Sequence, residues 1–353
     1  MRTPELFAHP EPTARLQVPS ADGTRIHVEV HGQDGAPTVV LIHGWTCNTT
    51  FWAPVIKALR SGAPELRVVA YDQRGHGGSE APGRAGYSVP ILVEDLIAVL
   101  DATVPEGERA VLAGHSMGAM TIMAAGGNAA VLGRTGGAVL CSTGFRALAG
   151  SARVVPGLGR LTRANVAAHR FLLGSALPIG PVTPISRAML KHTALGPKAD
   201  RGLQNVNARM IAACPSKPRS AWGHVLVDLD VGDRVGLLDV PTSVLFGTRD
   251  RLTPAAAHAQ AIADALPNFA GLTTLSGLGH MTPMEAPDAV VSLIRKRVQA
   301  MAAQDEADSV DAADARGAIA TADTADTADA ADVAAQLPQQ RVADQDTETE
   351  GVQ

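Results

Sequence analysis

Aromatic residues are scarce in this chain: Phe, Trp and Tyr make up 3% of its 353 residues. With 46% apolar residues overall, an interior is ample but must rely on aliphatic side chains. Cysteine is nearly absent. Cys47, Cys141 and Cys214 are odd in number, far apart and without metal spacing. That excludes a disulfide framework and a zinc ribbon, and predicts reduced, buried thiols in a cytoplasmic protein. The opening residues, MRTPELFAHPEP, lack an apolar run of secretory type, so no export signal is expected. One stretch, Ala110 to Gly133, is free of Asp, Glu, Lys and Arg and long enough to span a bilayer. It holds five glycines, Asn128 and His115, and no other segment supports a membrane topology.

What is present is unevenly charged. The net charge of -5 conceals an acidic end: residues 302–353 hold thirteen acidic and two basic residues, and the rest of the chain has a net charge of +6. The end lacks aromatics and repeats Thr-Ala-Asp at 321–323, 324–326 and 327–329. It cannot bury enough apolar surface to offset its chain entropy, and disorder is expected over 302–353. Nothing points to a nucleic-acid partner, and oligomeric state is not legible.

Between these ends, short apolar runs alternate with helical patterns. Residues 1–13 read as a Pro-rich arm. Arg15–Val18 and Thr24–Val30 flank Ser20-Ala21-Asp22-Gly23, a hairpin signal. Further strands are predicted at Thr38–Ile42, Leu66–Tyr71, Ala110–Ala113, Ala138–Cys141, Thr242–Phe246 and Leu272–Leu275. Helices are predicted over Phe51–Arg60, after Ser88 as a cap, after the turn at Ser116, from Thr253-Pro254 to Leu266, and over Pro287–Met301. This order means an α/β class with a mostly parallel sheet covered on both faces, and ligands at the strand C-terminal ends.

The chain is organised around Arg109–Gly127. An apolar run ends in Gly114-His115-Ser116-Met117-Gly118, and an Ala/Met/Ile helix follows. A serine at the apex of a sharp strand-to-helix turn projects its hydroxyl from the sheet. Glycines two before and two after it are expected because those positions pack against each other across the turn. The helix N-terminus then favours negative charge developing there.

Downstream, Phe246-Gly247-Thr248-Arg249-Asp250 and Gly277-Leu278-Gly279-His280-Met281 place an acid and a histidine just past successive strands. Together with His43-Gly44-Trp45 and Asp72-Gln73-Arg74-Gly75-His76-Gly77-Gly78-Ser79, these motifs make residues 14–301 resemble the α/β-hydrolase superfamily. The resemblance implies a mostly parallel eight-stranded sheet flanked by helices, with a mainly helical cap inserted. It implies Ser116 as nucleophile, His280 as base and Asp250 as its orienter, with backbone N–H groups of Trp45 and Met117 as the oxyanion hole. The expected reaction is hydrolysis of a small or lipid-like acyl ester, without metal or organic cofactor. The same three residues serve a thioesterase, a C–C bond hydrolase or a cofactor-free perhydrolase. A serine at the elbow argues against epoxide hydrolase and haloalkane dehalogenase chemistry, which use a carboxylate there. A non-catalytic binding or scaffold protein on this fold is the reading of another class.

His43, Gly44, Trp45, Phe51 and Trp52 are candidate pocket residues. Asp72 and Arg74 are expected to pair within a structural turn. His27, His31 and His258 fall on surface positions by pattern, while His169, His192 and His224 lie where they can reach the pocket. Residues 145–222 are the expected cap, flanked by core segments 14–144 and 223–301. Seven prolines predict short helices there, and twelve Arg and Lys residues face only Asp200. Arg160, Arg163 and Arg170 share one helical face by spacing. Such a cap is expected to favour anionic partners, including weak contact with an anionic membrane surface.

Overall fold

The computed structural model describes residues 3–61, 65–155 and 162–334. Its strands are β1 (Ala14–Pro19), β2 (Arg25–His31), β3 (Thr38–Ile42), β4 (Arg67–Tyr71), β5 (Ala110–His115), β6 (Thr135–Cys141), β7 (Thr242–Gly247) and β8 (Phe269–Leu275). They form one sheet in the order β1-β2-β4-β3-β5-β6-β7-β8. β1–β2 and β2–β4 are antiparallel, and the other neighbours are parallel. Every residue of β3, β5, β6 and β7 is buried, which is why their sequences are near-continuous apolar runs.

The helices of eight or more residues are α1 (Ala53–Arg60), α2 (Val89–Thr103), α3 (Met117–Ala124), α4 (Thr162–Gly174), α5 (Pro184–Ala194), α6 (Arg201–Ala213), α7 (Ser216–Val227), α8 (Ala255–Ala265) and α9 (Pro287–Ala334). Alternation along β3 sends Val40 and Ile42 to one core, with Leu96 and Val99 of α2 and Ile262 of α8. Val39 and Leu41 go to the other, with Ile56 and Leu59 of α1 and Ile294 and Val298 of α9. Ser88 holds the N-cap position of α2, but its side chain makes no capping bond. Pro at the helix start removes one N–H that would otherwise need an acceptor.

α4 to α7 lie between β6 and β7. They are 13, 11, 13 and 12 residues long, so the prolines do not shorten them as expected. Pro184 opens α5, Pro215 is the N-cap of α7 and Pro218 lies in its first turn. These are the positions that tolerate proline, because the first N–H groups of a helix have no internal acceptor. α7 runs on to Val227, past residue 222. It is tied to the core by Trp45 Nε1, which donates to the Arg219 carbonyl at 2.9 Å, and by Trp222 Nε1, which donates to the Arg74 carbonyl at 3.0 Å. Pro156 and Arg160 lie outside the described residues.

Residue contacts divide the chain into Met1–Met301 and Ala302–Gln353. The backbone of the second unit is helical to Ala334, where composition predicts disorder. Lack of apolar surface excludes a core but not a helix, and alanine is the strongest helix former. Residues 335–353 lie outside the described residues. Among the described residues no helix is long and apolar enough to cross a membrane.

Candidate active site

Ser116 joins β5 to α3 at φ 51° and ψ -116°. That backbone conformation is strained for a residue with a side chain. It is held by the neighbouring strand and helix: Ser116 N donates to the Cys141 carbonyl at 3.0 Å, and Met120 N to the Ser116 carbonyl at 3.0 Å. The two glycines are required for different reasons. A Cβ on Gly114 would lie 2.5 Å from Ala119 N, across the turn as expected. A Cβ on Gly118 would lie 2.2 Å from the Ile42 carbonyl oxygen, so Gly118 answers to the end of β3 rather than to Gly114.

Asp250 follows β7 and His280 follows β8. Asp250 Oδ1 accepts the N–H groups of Leu252 and Thr253, each at 2.9 Å. Its Oδ2 accepts the Thr253 hydroxyl at 2.9 Å and His280 Nδ1–H at 2.8 Å. Four donors hold this fully buried carboxylate in one orientation. The histidine proton is thereby held on Nδ1, leaving the Nε2 lone pair free. His280 N donates to the Ala194 carbonyl at 2.8 Å, which seats its loop against the end of α5.

Two further groups support this pair: buried His115, legible in the sequence only as part of the turn motif, and half-buried Glu285, which the motifs did not single out. His115 Nε2–H donates to the His280 carbonyl at 2.9 Å, and its ring stacks on Phe51. Burial pushes the His115 pKa well below the usual range, so it supports the loop as a neutral ring. Glu285 accepts Gly196 N at 2.7 Å and Gly279 N at 2.9 Å, bridging the end of α5 to the loop that carries His280. Burial raises its pKa to about 7. An acid five residues past the histidine motif was its only sequence signal.

Ser116 and His280 face one cavity of about 360 Å³. Among the described residues Ser116 Oγ makes no hydrogen bond, so its link to His280 is a shared cavity wall. Trp45 lines the cavity, and so do Leu172, Met189 and Ile211 from the inserted helices and Leu177 from the loop after α4. His169 and Arg219 are the buried polar residues that the insertion adds to its wall, beside Thr46, His115, Thr253 and His280 of the core. Arg219 Nη2 donates to the Ser175 carbonyl at 3.3 Å and to the Leu177 carbonyl, holding the loop after α4.

His43, Gly44, Phe51 and Trp52 do not line this cavity. Phe51 and Trp52 are fully buried in the core, because the turn after β3 directs its apolar residues inward. His43 is buried too: its Nδ1–H donates to the Gly44 carbonyl at 2.7 Å and its Nε2 accepts Gln73 N–H at 3.0 Å. A Cβ on Gly44 would lie 2.8 Å from His115 Nδ1. Arg74 does not pair with Asp72. It reaches Asp95 with Nε at 2.7 Å and Asp22 with Nη1 at 2.7 Å, while Asp72 accepts Thr49 N and Gly78 N, each at 2.7 Å. His31 and His258 are buried and His27 is half-buried, all three covered by segments that pattern alone does not reveal. Of the histidines near the insertion, His169 reaches the cavity; His192 and His224 do not line it.

The profile of the alpha/beta hydrolase family matches residues 39–293. A non-heme chloroperoxidase of Streptomyces lividans is 30% identical over 275 residues, covering 74% of this chain and 92% of that protein. Epoxide hydrolase A of Mycobacterium tuberculosis is 38% identical over 112 residues, 31% of this chain and 33% of that protein. The chain thus spans about a third of the length of the relatives it matches in such short segments. Among solved structures, an esterase from Rhodococcus covers 82% of this chain and all of its own, at 25% identity and a TM-score of 0.59.

Proposed function

The chain belongs to the alpha/beta hydrolase family, and on that premise we propose that it is a serine hydrolase of carboxylic esters. The observation that carries this is a serine on a strained elbow, sharing a cavity with a histidine that a buried carboxylate holds at 2.8 Å. His280 Nε2 takes the Ser116 proton as Oγ attacks the ester carbonyl. The oxyanion is received by the N–H groups of Met117, at the open end of α3, and Trp45. Each such donor is worth about 3–4 kcal/mol in the transition state. His280 then gives its proton to the leaving alcohol, and water activated by the same nitrogen frees the acyl group from Ser116.

The cavity walls favour an apolar acyl chain. So does the rim of the insertion: Phe171 is 72% and Ile185 74% exposed, and Leu177 and Met189 extend from the cavity to solvent. Arg163, Arg170, Arg201 and Arg209 are exposed on the same insertion. A lipid-like ester presented at an anionic membrane surface fits that combination. Binding that is equal to neutral and anionic vesicles at low salt would remove the membrane part.

A second reading, peracid formation by the same residues, is favoured by the 30% identity to a chloroperoxidase over most of both chains. The epoxide hydrolase relative does not carry its chemistry across, because Ser116 stands at the elbow where a carboxylate is required. Turnover of p-nitrophenyl esters from acetate to palmitate, beside peracid formation from acetate and hydrogen peroxide, separates the readings. Loss of the faster of the two in Ser116→Ala assigns it to this site.

A further inference from the structure

Strand β2 carries His27, Glu29 and His31 at alternate positions, opposite Ile26, Val28 and Val30, which enter the core. Alternation puts the three polar side chains on one face. The N-terminal arm covers that face. Thr13 N and Thr13 Oγ1 both donate to the Val30 carbonyl, at 2.7 and 2.9 Å, and His9 comes down onto Glu29. His9 Nε2 lies 2.8 Å from Glu29 Oε2, and His31 Nε2 lies 4.0 Å from the same oxygen. One ligand atom from each of the three lies within 4.8 Å of the other two.

His31 is fully buried, yet neither ring nitrogen makes a hydrogen bond of good geometry, the Glu11 backbone beside it being too poorly placed. A buried polar group left unpaired is costly and rare. An ordinary His9–Glu29 ion pair accounts for the 2.8 Å contact but leaves His31 unexplained. The other oxygen of Glu29 is held from the far side by His27 Nε2 at 3.4 Å and Arg15 Nε at 3.9 Å. Oε2 is thereby aimed at the two imidazoles. None of these residues lines the catalytic cavity.

We propose that His9, Glu29 and His31 form a binding site for a divalent transition-metal ion of the Zn²⁺ class, which pins the arm to β2. Two imidazoles and a carboxylate are a donor set that Zn²⁺ takes, whereas Ca²⁺ and Mg²⁺ take oxygens. Tetrahedral bonds of about 2.0 Å set ligand atoms about 3.3 Å apart. The observed 2.8 and 4.0 Å lie either side of that value and the two imidazoles lie within 4.8 Å of each other, so binding asks for shifts of up to about 1.5 Å. On binding, the proton between His9 Nε2 and Glu29 leaves that nitrogen, so that a neutral ring with its N–H on Nδ1 gives the Nε2 lone pair to the ion. The described residues supply three ligands, and water fills the fourth position.

The test uses the full chain, stripped with EDTA and titrated with Zn²⁺ against a chromophoric chelator. One equivalent bound per chain is expected, weakened by at least about tenfold in His9→Ala. Co²⁺ in place of Zn²⁺ is expected to give the intense visible absorption of a tetrahedral site, lost in the same variant. Zn²⁺ is also expected to protect residues 3–13 from limited proteolysis in the wild type alone. His31→Gln is the second variant, and circular dichroism checks that both fold. No stoichiometric uptake, or uptake unchanged in both folded variants, would overturn the proposal.

Discussion

Replacing Asp250 with Asn exchanges one atom and reverses two hydrogen bonds. Oδ1 of Asp250 accepts two backbone N–H groups, from Leu252 and Thr253, each at 2.9 Å. An amide nitrogen turned toward them would confront two donors. In Asp250→Asn the amide oxygen therefore stays there, and the NH₂ group takes the place of Oδ2, facing His280 Nδ1. It can only donate, so Nδ1 must accept and the ring proton must move to Nε2. The lone pair that would take the Ser116 proton is gone. The Thr253 hydroxyl, now facing a donor, rotates to accept. A serine protease with the same substitution loses about 10⁴ in kcat through this tautomer change. A loss of that size, about 5 kcal/mol in the barrier at 1.36 kcal/mol per tenfold, is expected here. The assay is kcat on the best p-nitrophenyl ester, with the melting temperature measured beside it. A folded variant that keeps kcat within about tenfold of wild type would refute the reasoning, because the tautomer would then not matter.

Ser116→Ala is expected to abolish acyl-enzyme formation while leaving the melting temperature at or above that of wild type, since it leaves φ 51° in place but removes no hydrogen bond; trapping with a radiolabelled ester checks it. Gly118→Ala puts a Cβ 2.2 Å from the Ile42 carbonyl oxygen and is expected to cost about 1–3 kcal/mol or more in urea denaturation. Arg74→Met leaves Asp95, itself 1% exposed, as an unpaired buried carboxylate, and is expected to cost about 3–5 kcal/mol in the same measurement. Stability is expected to fall with acid. Burial holds His43 at about 3, His76 at about 4 and His115 well below the usual range, so each stays neutral while the unfolded chain protonates below about 6.5. Their contribution is complete above about 6.5 and is lost as pH falls toward 3–4. Asp72, raised to about 6, and Glu285, raised to about 7, act in the opposite direction, and the three histidines outweigh them. Scanning calorimetry between pH 7.5 and 4.5 decides it; a melting temperature that rises with acid would be the contrary result.

By itself, the sequence determined the order of strands and helices, because apolar runs and turn residues act over a few neighbouring positions. It also determined that Ser116, Asp250 and His280 follow β5, β7 and β8, since their motifs stand next to those strands. The glycines at 114 and 118 were legible as small positions, though what crowds Gly118 is the end of β3, far away in sequence. Only the tertiary structure decided what covers each face. Arg74 answers to Asp22 and Asp95, 52 and 21 residues away, and not to Asp72 two residues before it, because residues so close in a tight turn point apart. Most of the cavity's apolar wall comes from the inserted segment, while Phe51 and Trp52 turn inward beneath the site. Glu29 and His31 alternate along β2 as solvent-facing residues would, and are covered when His9 of the arm lies against them. Periodicity records which side chains share a face; whether water or another segment meets that face depends on contacts that no local pattern encodes.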